Sequence, residues 1–475
     1  MRLRKHPILE FTPKKEIQFT FDGKRINAYE GDTVAAALHA AGIRTLSHSL
    51  KLHHPRGLFC AIGKCSSCLM EVDGCPNVKT CLIPARDGMT VKSQDGWGKF
   101  PAVITERDYK RKEIPTLETD IAIVGAGPAG LSAAIYAARL GARVLVMDEN
   151  HLVGGQLIKQ THMFFGSKDH YAKTRGVNIG KLLRDQCNEL GIEILTESSV
   201  IGYYHPHQLA MIHKKQLKRV NAQKVIVATG ASENMLSFPG NDLPGVYGAG
   251  AIQTLMNVYG VKPADKVLMV GAGNIGVIVS YQLLQAGVEV SAVVEALPTI
   301  GAYQVHASKL VRCGVDILTS HTIVKAYGDE SVEGATIAKL DDKWNIVEGT
   351  QRDISVDTIC LSVGLNPASE ILDQAGCQMV YIPELGGQVA KVDDNMETTI
   401  SGVYVAGDVS GIEEASSAML EGRMAGVAAV ENMNGSSKQI TEIKHEIRDG
   451  LNALRTGPFG EKTRTGLKKM TEVAQ

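Results

Sequence analysis

A short apolar strand running into Gly-x-Gly-x-x-Gly and then a helix occurs twice in this chain, and few folds accommodate that pattern. Ile121-Ala122-Ile123-Val124 leads into Gly125-Ala126-Gly127-Pro128-Ala129-Gly130 and an alanine-rich stretch ending at Leu140-Gly141. Val267-Leu268-Met269-Val270 leads in the same way into Gly271-Ala272-Gly273-Asn274-Ile275-Gly276. In such a turn the first glycine permits the sharp reversal and the second lets backbone approach a pyrophosphate. The third lets helix and strand pack closely, with the helix N-terminus facing the phosphates. From Thr119 onward short apolar strands, glycine-rich turns and helical periods alternate, which is the texture of a parallel α/β sheet. The expectation is an α/β chain with two Rossmann-like dinucleotide-binding domains.

Each repeat offers an acid where a ribose would lie. Val144-Leu145-Val146-Met147 ends at Asp148-Glu149, with Asp148 in the better register and Glu149 able to share the role. Val290-Ser291-Ala292-Val293-Val294 ends at Glu295. No Arg or Lys follows in Glu295-Ala296-Leu297-Pro298 to meet a 2′-phosphate, which favours NAD(H) over NADP; an empty pocket or another nucleotide remains open. Lys plus Arg number 50 against 51 for Asp plus Glu, so no net field draws nucleic acid or anionic lipid. Cofactor phosphates must be held by local geometry.

Nine cysteines are present, five of them between Cys60 and Cys81. Cys60-x4-Cys65-x2-Cys68, with Cys81 further on, has the spacing of a plant-type ferredoxin, in which a tight loop aims three thiolates at a 2Fe-2S cluster and a more distant residue supplies the fourth. Ala61, Gly63, Ser66 and Ser67 keep that loop small, so backbone amides can approach the sulfides. A structural zinc site is the alternative, but it prefers paired Cys-x2-Cys knuckles and only one such pair is here. Cys75, in Val72-Asp73-Gly74-Cys75-Pro76, is off the ligand register and reads as a free thiol.

Ahead of the cysteines, Ile17, Phe19 and Phe21 alternate up to Asp22-Gly23, and Ile26 and Ala28 resume the alternation. This is a hairpin, followed by a short helix capped by Asp32 or Thr33. The segments expected are a 2Fe-2S ferredoxin-like domain of α+β type with connector over 1–105, an FAD-binding domain over 106–244 and 361–435, an NAD-type domain over 245–360, and a helical tail over 436–475. The charged run from Glu106 to Glu113 serves as the exposed connector. The basic N-terminus reads as a frayed end and the C-terminus as a peripheral helix with a mobile tail. No apolar run suggests a signal peptide or a membrane span, so a cytoplasmic location is expected.

Further motifs sharpen the picture: Gly154-Gly155-Gln156 after the first acid, Val225-Ile226-Val227-Ala228-Thr229-Gly230, and Val403-Tyr404-Val405-Ala406-Gly407-Asp408. Together they resemble the two-dinucleotide-domain flavoproteins, which include thioredoxin reductase. That resemblance implies FAD on the first repeat, Asp408 at its ribityl or pyrophosphate region, and a helix starting near Glu414-Ala415 whose N-terminal amides face the flavin pyrimidine edge. No Cys-x-x-Cys lies in the nucleotide domains, which argues against thiol-disulfide reduction.

With the cysteine domain in front, and with Pro239-Gly240-Asn241-Asp242-Leu243-Pro244-Gly245-Val246 after the Ala-Thr-Gly turn, the chain resembles the larger subunits of heteromeric amine and amino-acid dehydrogenases: sarcosine oxidase, hydrogen cyanide synthase, opine oxidase and hydroxyproline dehydrogenase. The resemblance implies a hetero-oligomer in which a separate flavoprotein subunit oxidises the C–N bond and this chain relays electrons, with a small iron-sulfur subunit or electron carrier as a further partner. The second cysteine motif that many relatives carry near the C-terminus is absent, since no cysteine follows Cys377. A self-contained NADH:acceptor reductase and a non-catalytic cofactor-bearing scaffold are the rival readings. No acid–base pair for substrate stands out: His151, His162, His170 and His205 lie in polar or loop settings, and Gln160–Gly166 either lines the flavin or belongs to the core.

Overall fold

The computed structural model describes residues 1–12, 14–99, 113–165 and 168–472. Two compact units emerge, each from two stretches of chain: Met1–Arg107 with Glu233–Gly364, and Asp108–Ser232 with Leu365–Gln475. Apart from Glu113, the expected connector falls outside the described residues, as does Gly166.

The first unit begins with the expected hairpin. Strand β1 (Glu16–Phe21) pairs antiparallel with β2 (Lys24–Tyr29), turning at Asp22-Gly23, where both residues have positive φ. Thr33 caps α1 (Val34–Ala40) by accepting the Ala36 N–H at 3.3 Å. Strands β3 (Leu69–Val72) and β4 (Cys75–Lys79) form a second hairpin, and β5 (Thr90–Asp95) runs parallel to β1 and antiparallel to β3. The N-terminus is tied down rather than frayed: Leu3 N–H donates to Gly260 O at 2.8 Å, and Arg2 pairs with the buried Asp32 and donates to Tyr259 O at 3.0 Å. A buried carboxylate needs a cation, and Arg2 supplies it.

In the second unit the first fingerprint lies between β6 (Thr116–Val124) and α2 (Pro128–Arg139). Next come β7 (Val144–Met147), α3 (Gly176–Glu189), β8 (Glu193–Leu195) and β9 (Gln216–Val227). The second fingerprint returns the chain to the first unit. There β10 (Val246–Gly248), β11 (Lys266–Val270), α4 (Asn274–Gln285), β12 (Glu289–Glu295), α5 (Gln304–Arg312), β13 (Ile317–Thr319) and β14 (Thr358–Leu361) make a parallel sheet in the order β10-β14-β11-β12-β13. The second unit is completed by β15 (Val403–Val405), α6 (Ala415–Asn434), α7 (Lys438–Leu454) and α8 (Glu461–Glu472). Its parallel strands follow β15-β9-β6-β7-β8, so each fingerprint strand is central, with its two successors on one side. An antiparallel three-stranded element precedes or leads into the returning strand in both. The expected α/β class with two Rossmann-like domains is borne out.

The C-terminal stretch is helical through Glu472, not a mobile tail. Ile440, Ile447 and Leu451 of α7 bury into the cluster that contains α6, and Met470 of α8 packs with Leu385. Each such aliphatic side chain contributes about 1.5–3 kcal/mol when fully buried. Among the described residues no helix is long and apolar enough to cross a membrane.

Candidate cofactor sites

Four cysteines converge on one loop of the first unit. Cys60, Cys68 and Cys81 are buried, while Cys65 is half-buried and Cys75, as expected, stands exposed in β4. Left-handed backbone at Ala61, Gly63 and Ser66 turns the loop back on itself, and a Cβ on Gly63 would lie 2.6 Å from Leu82 Cδ1. The sulfurs form two pairs. A hydrogen bond from Cys60 holds the Cys65 thiol low, and one from Cys81 does the same for Cys68. Backbone amides of Ile62, Gly63 and Ser67 also bond to these sulfurs. Two thiol pairs ringed by N–H groups suit a two-iron cluster, each iron taking two thiolates. Thr80 fastens the loop, its hydroxyl donating to Cys68 O at 2.7 Å.

The same loop is part of the core around the second fingerprint domain. Phe59 and Cys60 lie in one apolar cluster with Val246, Leu268, Val270 and Leu361. Gly248 N–H donates to Phe59 O at 3.0 Å, and Arg56 Nη1 reaches Asp242 Oδ2 at 2.6 Å. A Cβ on Gly57 would come 2.9 Å from Pro244 Cα. The segment from Pro239 to Val246, distinctive in the sequence, is therefore where the cysteine loop docks.

In the second unit the first fingerprint is built for close approach. A Cβ on Gly125 would sit 2.2 Å from Ala228 O, and one on Gly130 would sit 1.9 Å from Gly125 O. Gly155, at φ +53, lies over Gly127, and its Cβ would stand 2.7 Å from Gly127 Cα. Pro128 starts α2, Gly127 is its N-cap, and no side chain caps it, so the first amides are left for a ligand. Asp148 is buried and accepts the Ala126 N–H at 2.7 Å; Glu149 is half-buried beside it. These residues fit a dinucleotide pyrophosphate and ribose.

Other expected residues surround that turn. Thr229 donates its hydroxyl to Ala368 O at 2.7 Å and so fastens the Thr229-Gly230 turn. Gln156 is exposed on the 3-10 turn Gly155–Lys159. Gly407, at φ +81, lies over Ala129, and its N–H donates to Glu421 Oε2 at 2.9 Å. Asp408 is closely surrounded yet keeps an accessible face; burial pushes its carboxyl up to about 7. Ala415 is the first residue of α6, which no side chain caps. At Gly422 and Gly426 that helix meets α2 so closely that Cβ atoms would come 2.0 Å from Ala129 O and 2.4 Å from Ala133 O.

The second fingerprint repeats the arrangement. Gly271 and Gly276 lack room for a Cβ, which would come 2.2 Å from Ser362 O and 2.1 Å from Gly271 O respectively, while Gly273 faces open space. Asn274 opens α4 and accepts Tyr303 N–H at 2.9 Å, and Ile275 is exposed. Glu295 accepts Ala272 N–H at 2.7 Å. Absent from the sequence-derived set are Glu421, Glu413 and Arg455, although an acid within Ala418-Met419-Leu420-Glu421 was a visible signal. Of the four histidines singled out above, His205 is exposed and His151, His162 and His170 are half-buried, with His162 stacked on Phe164.

Comparison with known proteins places these sites in context. The family described as pyridine nucleotide-disulphide oxidoreductase matches residues 119–422, and a 2Fe-2S iron-sulfur cluster binding domain matches 14–96. The alpha subunit of sarcosine oxidase from Rhizobium meliloti (strain 1021) is 26% identical, covering 92% of this chain and 48% of that protein. The opine oxidase A-type subunit of Agrobacterium tumefaciens (strain Ach5) is 29% identical, covering 72% and 71%. The chain thus spans about half the length of the sarcosine oxidase relative. Among solved structures, L-proline dehydrogenase from P. horikoshii superposes with a TM-score of 0.69 at 24% identity over 94% of this chain and 79% of that one, which shows the fold. The expected resemblance to components of amine and amino-acid dehydrogenases is borne out, with FAD and a 2Fe-2S cluster as the cofactors of the two matched domains.

Proposed function

The chain belongs to the pyridine nucleotide-disulphide oxidoreductase family, and from that premise we propose that it is the electron-transferring subunit of a multi-subunit dehydrogenase acting on a proline-, hydroxyproline- or sarcosine-like donor. It is a flavin and 2Fe-2S oxidoreductase related to subunits of amine and amino-acid oxidases. The observation that carries the reading is the cysteine loop, two thiol pairs set into one core with a nucleotide-type domain. Such a loop suits an electron port. Relatives named as subunits support a partner, which we take to be a separate flavoprotein that breaks the substrate C–N bond. A small iron-sulfur subunit or carrier would receive the electrons, and the cytoplasm is the proposed location.

Bound FAD exchanges electrons in pairs or singly, and a 2Fe-2S cluster exchanges them singly. The chain's own residues supply the placement. Gly127, Gly155 and the first amides of α2 hold the pyrophosphate; Asp148 or Glu149 orients the ribose; Asp408 and the start of α6 at Ala415 meet the remainder. Cys60, Cys65, Cys68 and Cys81 would hold the 2Fe-2S cluster, which would supply one-electron transfer. Glu295 and the Gly271–Gly276 turn take NAD(H).

The intact loop around Glu295 favours a second reading, a self-contained NADH:acceptor reductase. Anaerobic titration of the purified assembly with NADH, and separately with proline, hydroxyproline and sarcosine, distinguishes the two when flavin and cluster spectra are followed apart. Amine-dependent reduction of both cofactors only with a partner present supports the dehydrogenase reading. Fast bleaching of the isolated chain by NADH alone supports the reductase, and no reduction by either donor in a fully loaded assembly sinks both.

A further inference from the structure

One buried charge network in the second unit lies outside both fingerprints. Glu421 of α6 has only 4% of its surface exposed. Its Oε2 accepts Gly407 N–H at 2.9 Å and the Ser410 hydroxyl at 2.8 Å, and its Oε1 accepts Arg455 Nη2 at 2.5 Å. The same guanidinium grips Glu413, with Nε 3.0 Å and Nη2 2.6 Å from Glu413 Oε1. Arg455 caps the end of α7, beyond the family-matched residues 119–422. Its carbonyl is held in turn by the Arg464 guanidinium of α8. One residue at a helix end thus ties the C-terminal helices to the turn from Gly407 to Glu413.

We propose that Arg455 is a positioning residue for the flavin: by pinning Glu421 and Glu413 it fixes the Gly407–Glu413 turn and cancels negative charge that would oppose the cofactor. The proposal rests on FAD lying between the first fingerprint and that turn. Two carboxylates share one planar cation, whose fork suits both at once. Without it, the buried Glu421 and the half-buried Glu413 would stand uncompensated next to a pyrophosphate and an anionic reduced flavin. Removing one member of a buried pair leaves the other charge uncompensated, which is the costly case.

The charged groups facing Glu421 are Glu413 on the turn and Arg455 at the end of α7; Asp408 on the same turn, pushed up to about 7 by burial and Glu413, titrates in every variant alike, so the comparison is always with wild type at the same pH. On α2, which packs along α6, the first titratable side chain is Tyr136, and it lies under Arg423 instead. Losing the Arg455 cation therefore raises the affinity of Glu421 for protons, since Arg455 is what lowers it against burial and Glu413. Below its new titration range Glu421 is neutral and its repulsion is gone; above it, Glu421 is charged. A mere packing defect has no such dependence.

The test is FAD affinity of the full chain from pH 5.5 to 8.5, with the flavin potential at the two ends, for wild type, Arg455→Gln and Arg455→Lys. Arg455→Gln is expected to bind FAD about tenfold more weakly or worse at pH 8.5, a loss of about 1.4 kcal/mol per decade, and to recover most of it at pH 5.5. Its flavin potential is expected to be more negative at high pH. Arg455→Lys keeps the charge and is expected to follow the wild-type profile with a smaller loss, which guards against a variant that simply misfolds. A pH-independent loss shared by both variants, or no loss, overturns the proposal. If wild type itself binds no FAD, the flavin reading fails first and is seen to fail separately.

Discussion

The carboxylate of Asp148 accepts the backbone N–H of Ala126 at 2.7 Å, and Glu295 repeats the contact with Ala272 N–H at the same distance. Each acid also takes the N–H two residues further on, Asn150 at 2.8 Å and Leu297 at 3.0 Å. The loops that follow return to the same place: Gly154 N–H donates to Ala126 O at 2.9 Å and Ala302 N–H to Ala272 O at 3.1 Å. Both acids therefore shape the phosphate loop before any ribose arrives. Asn150 Nδ2 adds a third bond to Asp148 Oδ1 at 3.1 Å, and a carboxylate has about four lone-pair sites to share with a ribose hydroxyl.

Asp148→Asn is expected to weaken FAD binding about tenfold or more, because an amide offers one acceptor where two N–H groups need one each. Loop stability should fall by about 1–3 kcal/mol, the cost of a buried donor left unmet. Flavin absorbance after gel filtration and urea unfolding measure the two effects. Glu295→Gln should leave the flavin content unchanged and weaken only nucleotide binding at the second fingerprint.

Cys65→Ser is expected to abolish most cluster loading, and Cys75→Ser to leave it intact, as read by iron and sulfide per chain. Gly63→Ala should behave like the ligand variant. Its Cβ would meet Leu82 Cδ1 at 2.6 Å, on backbone at φ +77 that an L-residue resists. Equal iron in Cys65→Ser and wild type would remove Cys65 from the ligand set.

Arg56→Ala is expected to cost no more than about 1 kcal/mol, because both it and Asp242 are about a third exposed and solvent screens the pair. Burial raises the Asp242 carboxyl, but Arg56, a backbone N–H and His54 together outweigh it and hold the group below its ordinary range. Its contribution is thus present above about pH 4 and lost as pH falls through the lowered value. Melting curves at pH 6 and pH 3 should show the variant's deficit shrinking in acid.

The two fingerprints, the hairpin at Asp22-Gly23 and the ligand loop were legible because each depends on neighbours a few residues apart. Glycine at Gly125 or Gly63 announces a local backbone need. Arg455 and Glu421 were not legible, since their meaning lies in a contact between a C-terminal helix and a turn dozens of residues earlier. The segment from Pro239 to Val246 was conspicuous, but its task, receiving Gly57 and Arg56, required the tertiary arrangement. The helix around Ile440 to Leu454 was legible from its spacing, whereas α8 was not, because Thr463, Gly466 and Met470, its buried residues, give little apolar signal.

Acid stability should hinge on His39. The ring is buried on α1, with Nδ1 2.9 Å from Ala35 O and Nε2 3.1 Å from the Tyr247 hydroxyl, itself fully buried. Burial pulls its pKa down to about 4, and nearby Arg44 adds to the pull against the bond to Ala35. An unfolded histidine titrates near about 6.5. Between those values the unfolded chain takes up a proton that the folded chain refuses, so stability is full above about pH 6.5 and drains away as pH falls toward 4. A gap of that size corresponds to about 3 kcal/mol. His39→Gln keeps a polar partner for Tyr247 but cannot titrate. In urea unfolding of the full chain, wild type is expected to lose stability relative to His39→Gln between pH 7 and pH 5. Parallel profiles across that window would show that the folded ring takes up its proton as readily as the unfolded one and would overturn the prediction.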